Sequence, residues 1–316
     1  MMKTVTFEKC AKFLHNADNI LILMHRSPDG DAVGSGYALA YALRKAGKKV
    51  MPVCSDDIPQ KYSYITNDFS VQEFEPEYIV TVDLADTQLF GDKLIQYKDK
   101  VNLCIDHHPS NTGYAEYGIV DANAGACAQI VKKVINAMDI PIDKNIANAI
   151  FTGISTDTGC FKYSNAGAES YKMAAEMIEC GADGFFINKL MFDTKSRQRL
   201  EIERLALNSL TYHYDGKIAV IFITKEMMET SGASDDDTEG ISGMPRQIEG
   251  VVIGITIREK DNGNFRVSMR SAGDKDVSAV CAEFGGGGHK AAAGCTVTGT
   301  AEEVKEKVVH AAGAAL

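Results

Sequence analysis

Three apolar runs, at residues 20–24, 78–82 and 101–105, each end directly on ionisable side chains: His25, Asp83, and the triplet Asp106-His107-His108. Continuous apolar runs of about five residues suit strands of a parallel sheet covered on both faces, because both sides of the pleat are then buried. Open α/β sheets bind ligands beyond the carboxyl ends of their strands. The first run continues through Pro28 to Asp29-Gly30-Asp31, and a further apolar stretch from Ile150 ends on Asp157. The pattern therefore predicts imidazoles and carboxylates gathered at one sheet edge, with Asp157 among them at a strand end.

Taken singly, each group has a plain structural reading. Asp29-Gly30-Asp31 makes an ordinary turn, and it is no EF-hand, because the twelfth loop position is Ala40 where a bidentate Glu is needed. Asp83 could cap a helix and Asp157 a turn. Convergence changes the reading, since carboxylates packed together are costly unless cations neutralise them. The candidate ligands His25, Asp29, Asp31, Asp83, Asp106, His107, His108 and Asp157 exceed what one ion can use. Two ions about 3.5 to 4 Å apart, bridged by a carboxylate and a water, would make that water a nucleophile and stabilise an in-line displacement at phosphorus. Mixed imidazole and carboxylate donors suit Mn2+, with Fe2+, Co2+ or Zn2+ as alternatives, better than Mg2+, which prefers all-oxygen shells.

The rest of the first half reads as alternating helices and strands. Residues 34–47 are Ala-rich and close on Gly47, as at a helix C-terminus, and residues 49–54 form the second parallel strand. Cys127, Ile130, Val131, Val134, Ile135 and Met138 trace one face of an amphipathic helix. The alternation predicts a doubly wound catalytic domain over residues 1–184. Residues 188–210 carry Leu, Arg and Glu with no Gly or Pro, which predicts a connecting helix within a linker at 185–212. A smaller α/β domain follows over 213–316, with β-rich runs at 217–223, 249–257 and 264–270. Asn262-Gly263 is a hairpin turn between the last two, and Thr300 with Glu303 forms a capping box before a final helix. The cluster Asp235-Asp236-Asp237 reads as a solvated loop.

Composition narrows the partners. Thirty-three Lys and Arg against 43 Asp and Glu give a formal charge of -10, which opposes a long nucleic acid as partner, because that binding needs broad phosphate neutralisation. A small anion held locally is compatible. The N-terminus has no extended apolar segment, and no stretch approaches the roughly 20 apolar residues of a membrane span, so a soluble cytoplasmic protein without a membrane partner is expected. The eight cysteines contain no Cys-x-x-Cys pair and read as buried reduced thiols. An isologous homodimer is the default assembly.

In order and spacing, His25-x-x-x-Asp29-x-Asp31, Asp83, Asp106-His107-His108 and Asp157 resemble the successive motifs of the DHH phosphoesterase superfamily, which includes RecJ-type exonucleases and family II inorganic pyrophosphatases. The resemblance implies that His25, Asp29 and Asp83 hold one ion. It implies that Asp31, Asp83, His107 and Asp157 hold the other, with Asp83 as the bridge. It further implies that Asp106 buttresses the second site and that His108 faces the scissile phosphate. In the second half, Arg270-Ser271 and Gly285 to Gly288 followed by His289 resemble the Gly-Gly-Gly-His signature of the DHH-associated C-terminal domain. Pyrophosphatases of the superfamily carry a different second domain, which favours a nucleotide phosphoester. Arg270, Ser271, Gly286, Gly287, Gly288 and His289 would then grip the substrate, in a cleft between the two domains.

The two domains together resemble the short members called nanoRNase/pAp phosphatases, relatives of which cleave cyclic di-AMP or its linear product. The expected activity is Mn-dependent hydrolysis of short RNA, pApA or adenosine 3′,5′-bisphosphate (pAp). A cyclic di-AMP phosphodiesterase is the nearest alternative, ahead of inorganic pyrophosphatase and of a nucleotide-binding module without turnover.

Overall fold

The computed structural model describes residues 2–238 and 240–316, and the chain divides into two compact units, Met1–Thr194 and Lys195–Leu316. The first unit runs β1 (Lys3–Thr4), α1 (Phe7–Asn16), β2 (Ile20–Leu23), α2 (Gly30–Lys45), β3 (Val50–Val53), α3 (Ser63–Thr66), β4 (Tyr78–Val82), β5 (Leu103–Asp106), β6 (Tyr117–Val120), α4 (Cys127–Ala137), α5 (Lys144–Asp157), α6 (Ala168–Glu179) and α7 (Gly184–Asn188). Its six strands lie in the order β1-β6-β5-β4-β2-β3, and every pairing is parallel. The chain passes from β2 to β3 on one side and returns to place β4 on the other, so the order reverses between β2 and β4. His25 and Asp83 follow those two strands, at the switch point where doubly wound sheets leave a crevice.

All four residues of β2 are buried, as its unbroken apolar run requires. One face of the sheet packs against α1, α2, α4 and α5 in a large core that includes Leu14, Leu39, Ile130 and Ile150. The other face carries a smaller cluster around Leu23, Phe90 and Cys104. Helices α2 and α5 approach closely enough that a Cβ on Gly34 would sit 2.4 Å from the Ala149 carbonyl, and one on Gly153 would sit 2.6 Å from Asp31 Oδ1. Glycine at both positions is what lets Asp31 reach the start of α4.

Asp157 is the last residue of α5, not the end of a strand. Buried side chains surround most of that helix, from Ile146 and Ala147 to Phe151 and Ile154, so its sequence lacks a clean amphipathic period and imitates a buried strand. The expected connecting helix over 188–210 is also interrupted. Residues 189–193 form one π-type turn, Thr194 is extended, and Ser196 begins a new helix by accepting a hydrogen bond from the Arg199 backbone N–H. That new helix belongs to the second unit, so the division falls at 194/195 and no separate linker spans 185–212.

The second unit contains α8 (Arg197–Asn208), β7 (Thr211–His213), β8 (Ile218–Ile223), α9 (Lys225–Ser231), β9 (Ile253–Glu259), β10 (Asn264–Ser271), α10 (Val277–Ala282), β11 (Gly287–His289), β12 (Ala292–Thr298) and α11 (Ala301–Ala314). Its mixed sheet has the order β11-β12-β10-β9-β8-β7, with β8 and β9 parallel and the other pairs antiparallel. Strand alternation sends Ile253, Ile255, Ile257, Val267 and Met269 to one face, where they meet Val280 of α10 and Val304 and Val308 of α11. On the other face, Ile221 and Ile223 pack under Ile202 and Ala206 of α8. Asn262, at φ 58, turns the chain from β9 into β10. The Thr300–Glu303 capping box closes the N-terminus of α11. All eight cysteines are free, five of them buried. No helix among the described residues is long and apolar enough to cross a membrane.

Candidate metal centre

His25, Asp29, Asp31, Asp83, His107 and Asp157 converge at the carboxyl edge of the first sheet. Their donor atoms form two triads, His25–Asp29–Asp83 and Asp31–His107–Asp157, with all atoms of a triad within 4.8 Å of one another. Asp83 also groups with His107 and His108. Each carboxylate is positioned by a different element. Asp29 is the N-cap of α2 and accepts from the backbone N–H groups of Asp31 and Ala32 at 3.0 Å. Asp31, in the first turn of α2, accepts from the Cys127 N–H at 2.5 Å, the Ala128 N–H at 2.9 Å and Ser35 Oγ at 3.1 Å. It thereby serves as the missing side-chain cap of α4, whose N-cap residue is Ala126. Asp83 sits in the left-handed region at φ 53, which Asp and Asn tolerate better than most residues.

The imidazoles decide what the centre can hold. His25 Nδ1 lies 2.8 Å from the Arg26 carbonyl and His107 Nδ1 lies 3.2 Å from the Ala124 carbonyl. A carbonyl only accepts, so each Nδ1 carries its proton and a neutral ring presents the Nε2 lone pair. Those Nε2 atoms face carboxylate oxygens at 3.4 to 3.9 Å. Asp83 Oδ1 is buried and makes no hydrogen bond at all. Lone pairs facing lone pairs at these separations require protons or a cation between them, and the donor set fits a divalent ion with mixed nitrogen and oxygen ligands.

Without a metal, protons must do the neutralising. Burial holds the Asp31 and Asp83 carboxyls above the ordinary range, Asp31 strongly, with neighbouring carboxylates adding to the rise. Burial also lifts Asp157 to about 6. For His25 and His107 burial pulls the other way, but the surrounding carboxylates outweigh it and raise the rings to about 9 and about 10. Desolvation thus exceeds ion-pair attraction for Asp83, even though its partner His107 stays protonated, because four carboxylates share too few positive charges.

Asp106 stands behind this group. Its Oδ1 accepts from the His107 N–H at 2.8 Å and from His108 Nδ1 at 2.7 Å, while Oδ2 accepts from Asn111 Nδ2 at 2.6 Å. Burial alone would raise its carboxyl, but these donors hold it below its usual value. The Asp106 bond in turn raises His108. With Nδ1 committed to Asp106, His108 presents Nε2 outward from a ring that is 41% exposed. Asn111 and Ser35 did not stand out in the sequence. Ser35 was findable as the residue four after Asp31 on one helix face, whereas nothing local marks Asn111.

In the second unit, Arg270 and Ser271 point to opposite faces of β10. The Ser271 hydroxyl is buried and donates to the Lys275 carbonyl at 2.8 Å, so it closes a turn and is not open to a ligand. Gly286 is required by packing, since a Cβ there would lie 2.2 Å from the Gly294 carbonyl. Gly287, Gly288 and His289 form the exposed edge strand β11, and a Cβ on Gly287 would meet nothing within 4 Å.

Residues 19–154 match the DHH family, N-terminal domain, and residues 215–316 match the DHHA1 domain. The chain is 30% identical over 298 residues to the bifunctional oligoribonuclease and PAP phosphatase NrnA of Thermus thermophilus, covering 92% of this chain and 88% of that protein. It is similar to the crystal structure of an exopolyphosphatase-related protein from Bacteroides fragilis, with a TM-score of 0.87 and 27% identity over 96% of this chain and 94% of the other. RecJ from Thermus thermophilus, solved in complex with Mn2+, shares the fold at a TM-score of 0.55 and 14% identity, over 97% of this chain and 54% of RecJ. The chain belongs to the DHH family, its N-terminal DHH domain followed by a DHHA1 domain.

Proposed function

We propose that this chain is a divalent-metal-dependent phosphohydrolase of short nucleotides, removing the terminal phosphate of pAp and degrading short oligoribonucleotides from an end. One observation carries the reading: two donor triads linked through Asp83, which belongs to one and also groups with His107 of the other, and whose buried Oδ1 makes no hydrogen bond. The substrate class follows from the relative named as an oligoribonuclease and PAP phosphatase. His25, Asp29 and Asp83 would hold one ion, and Asp31, Asp83, His107 and Asp157 the other. Mn2+ suits this donor set best. Such ions supply an acidified water and neutralise charge at phosphorus.

The chain's own groups do the rest. Asp106 fixes the tautomer and direction of His108, and the raised His108 ring keeps a proton for the oxygen on which charge develops. Asn111 and the His107 N–H hold Asp106 in place. Ser35 and the first N–H groups of α4 fix Asp31. Arg270, Gly287, Gly288 and His289 are proposed to grip the remainder of the substrate.

The test is a parallel assay of purified protein with Mn2+ on pAp, pApA, a short RNA, cyclic di-AMP and pyrophosphate. Turnover of pAp and of the short RNA is expected. Turnover confined to pyrophosphate or to cyclic di-AMP would overturn the assignment.

A further inference from the structure

Three arginines of the second unit converge on one face of its sheet, and only Arg270 among them stood out in the sequence. Residues 264, 266, 268 and 270 of β10 alternate away from the core face, so Arg266, Ser268 and Arg270 stand on the same side. Register extends that side across the neighbouring strands. Arg270 pairs with Gly254 on β9 and Ala292 on β12, and Ser268 pairs with Thr256 and Gly294. Arg246 joins from the preceding segment, since a Cβ on Gly254 would lie 2.5 Å from the Arg246 backbone nitrogen.

These guanidiniums have no counter-charge. Arg258, on the same face, is committed to Asp235 and Thr238. Arg270 uses two of its donors on the Met269 carbonyl and Ser242 Oγ. Among the described residues, Arg246, Arg266 and Arg270 form no ion pair, and Arg246 and Arg266, both exposed, make no hydrogen bond from their side chains. Burial, and then the charges of Arg246 and Arg266, hold Arg270 below the usual guanidinium value. Nearby, the Thr256 hydroxyl is buried without a partner. In the row between Arg266 and Arg270, β12 contributes no side chain, because Ser268 pairs there with Gly294. Neighbouring arginines without a counter-charge repel one another and give an anion a local attraction that a chain of net charge -10 offers at few places.

The spacing indicates what kind of anion. Four residues of strand separate Arg266 from Arg270, about 13 Å at about 3.3 Å per residue. That matches roughly four stacked nucleotides at about 3.4 Å each along a single strand, and fewer in an extended one. We propose that Arg246, Arg266 and Arg270 form a phosphate track for a short single-stranded oligonucleotide, in which Arg266 engages a backbone phosphate two to four positions from the one held at Arg270. The track rests on the short-nucleotide reading given above and adds to it a reason for length preference. A substrate of one or two nucleotides reaches Arg270 and Arg246 alone, whereas a trimer or tetramer also reaches Arg266.

The experiment uses the full chain in EDTA, so that binding is read without turnover, and follows fluorescence anisotropy of 5′-fluorescein-labelled tetra-adenylate and di-adenylate. Arg266→Gln is expected to weaken tetramer binding about tenfold, to weaken dimer binding much less, and to reduce the slope of log Kd against log salt by about 0.7, the value for one lost single-strand phosphate contact. Arg246→Gln is expected to weaken both. Circular dichroism reports whether each variant is folded. Equal losses on dimer and tetramer, or an unchanged salt slope in folded Arg266→Gln, would overturn the track. Tripolyphosphate that displaces the tetramer at equal phosphate concentration, with the same arginine dependence, would overturn the oligonucleotide assignment in favour of inorganic polyphosphate. Hydrolysis of pAp by the wild-type protein is measured separately. Arginine-dependent binding without any hydrolysis would sink the reading of the metal centre and leave the track standing.

Discussion

Asp83→Asn should make the metal-free protein more stable and the metal-loaded protein less so, because the residue is placed for an ion at the expense of the fold. Asp83 is 3% exposed, its Oδ1 makes no hydrogen bond, and burial raises its carboxyl. Asparagine keeps the shape, tolerates φ 53, removes one buried charge and keeps an oxygen that can accept from protonated His107 Nε2, which lies 3.4 Å from Asp83 Oδ1. Alanine would confound the test with strain in the left-handed region. Relief of one unpaired buried polar group is worth about 1–3 kcal/mol, or roughly 2–12 °C in Tm for a unit of this size. An ion at 100 times its Kd stabilises the wild type by about 2.7 kcal/mol, and the variant should lose most of that gain. Differential scanning fluorimetry in EDTA and in a Mn2+ series would therefore give curves that cross. Turnover should fall more than about 100-fold, beyond the scale at which outer partners of metal ligands act. An Asn variant less stable than wild type in EDTA, or one that gains as much from Mn2+, would refute the reasoning.

The metal-free protein should lose stability as pH rises from about 6.5 to 9. His25 and His107 titrate near 9 and 10 in the fold against an ordinary 6.5, so their stabilisation is full below 6.5 and is lost through the folded values. Mn2+ should weaken or reverse that trend, since ligation needs deprotonated rings; Tm measured against pH with and without Mn2+ decides. Asp106→Asn should lower kcat about 10- to 100-fold and move its alkaline limb to lower pH, because the bond that raises His108 is weakened; a pH–rate profile reads this, and an unmoved limb would remove Asp106 from the role. Arg270→Ala and His289→Ala should raise KM for pAp while isothermal titration finds Mn2+ affinity unchanged; a loss of Mn2+ affinity would contradict their assignment to substrate.

The parallel sheet and most of the candidate ligands were legible because each buried strand is written as an uninterrupted apolar run and the ionisable residue comes immediately after it. His25, Asp83 and Asp106 to His108 all follow that rule. Asp157 escaped it because α5 is enclosed by its neighbours, and a helix buried on most sides loses the 3.6-residue period that would distinguish it from a strand. The break at Thr194 was hidden for the opposite reason: it needs no Gly or Pro, only the Ser196 cap. Strand geometry also separates two residues that the sequence sets side by side. Neighbouring residues of β10 face opposite sides, so Arg270 and Ser271 present their side chains to different faces of the sheet.

What no linear reading supplied is the company a residue keeps. Asp31 caps α4 across ninety-six positions of sequence, and Arg246 lies over a glycine of β9 that pairs with Arg270. Both arrangements set a charge where the chain alone gives it no reason to be. At the carboxylate cluster of the first unit the surplus is negative and buried, where each uncompensated carboxylate is costly, so a cation would stabilise the fold as well as serve the proposed chemistry. At the arginine strip of the second unit the local surplus is positive and largely exposed, where it costs less and is screened by salt. Metal removal should therefore alter stability strongly, whereas loss of the oligonucleotide should alter it little, and the ionic-strength dependence of binding should trace to the arginines alone.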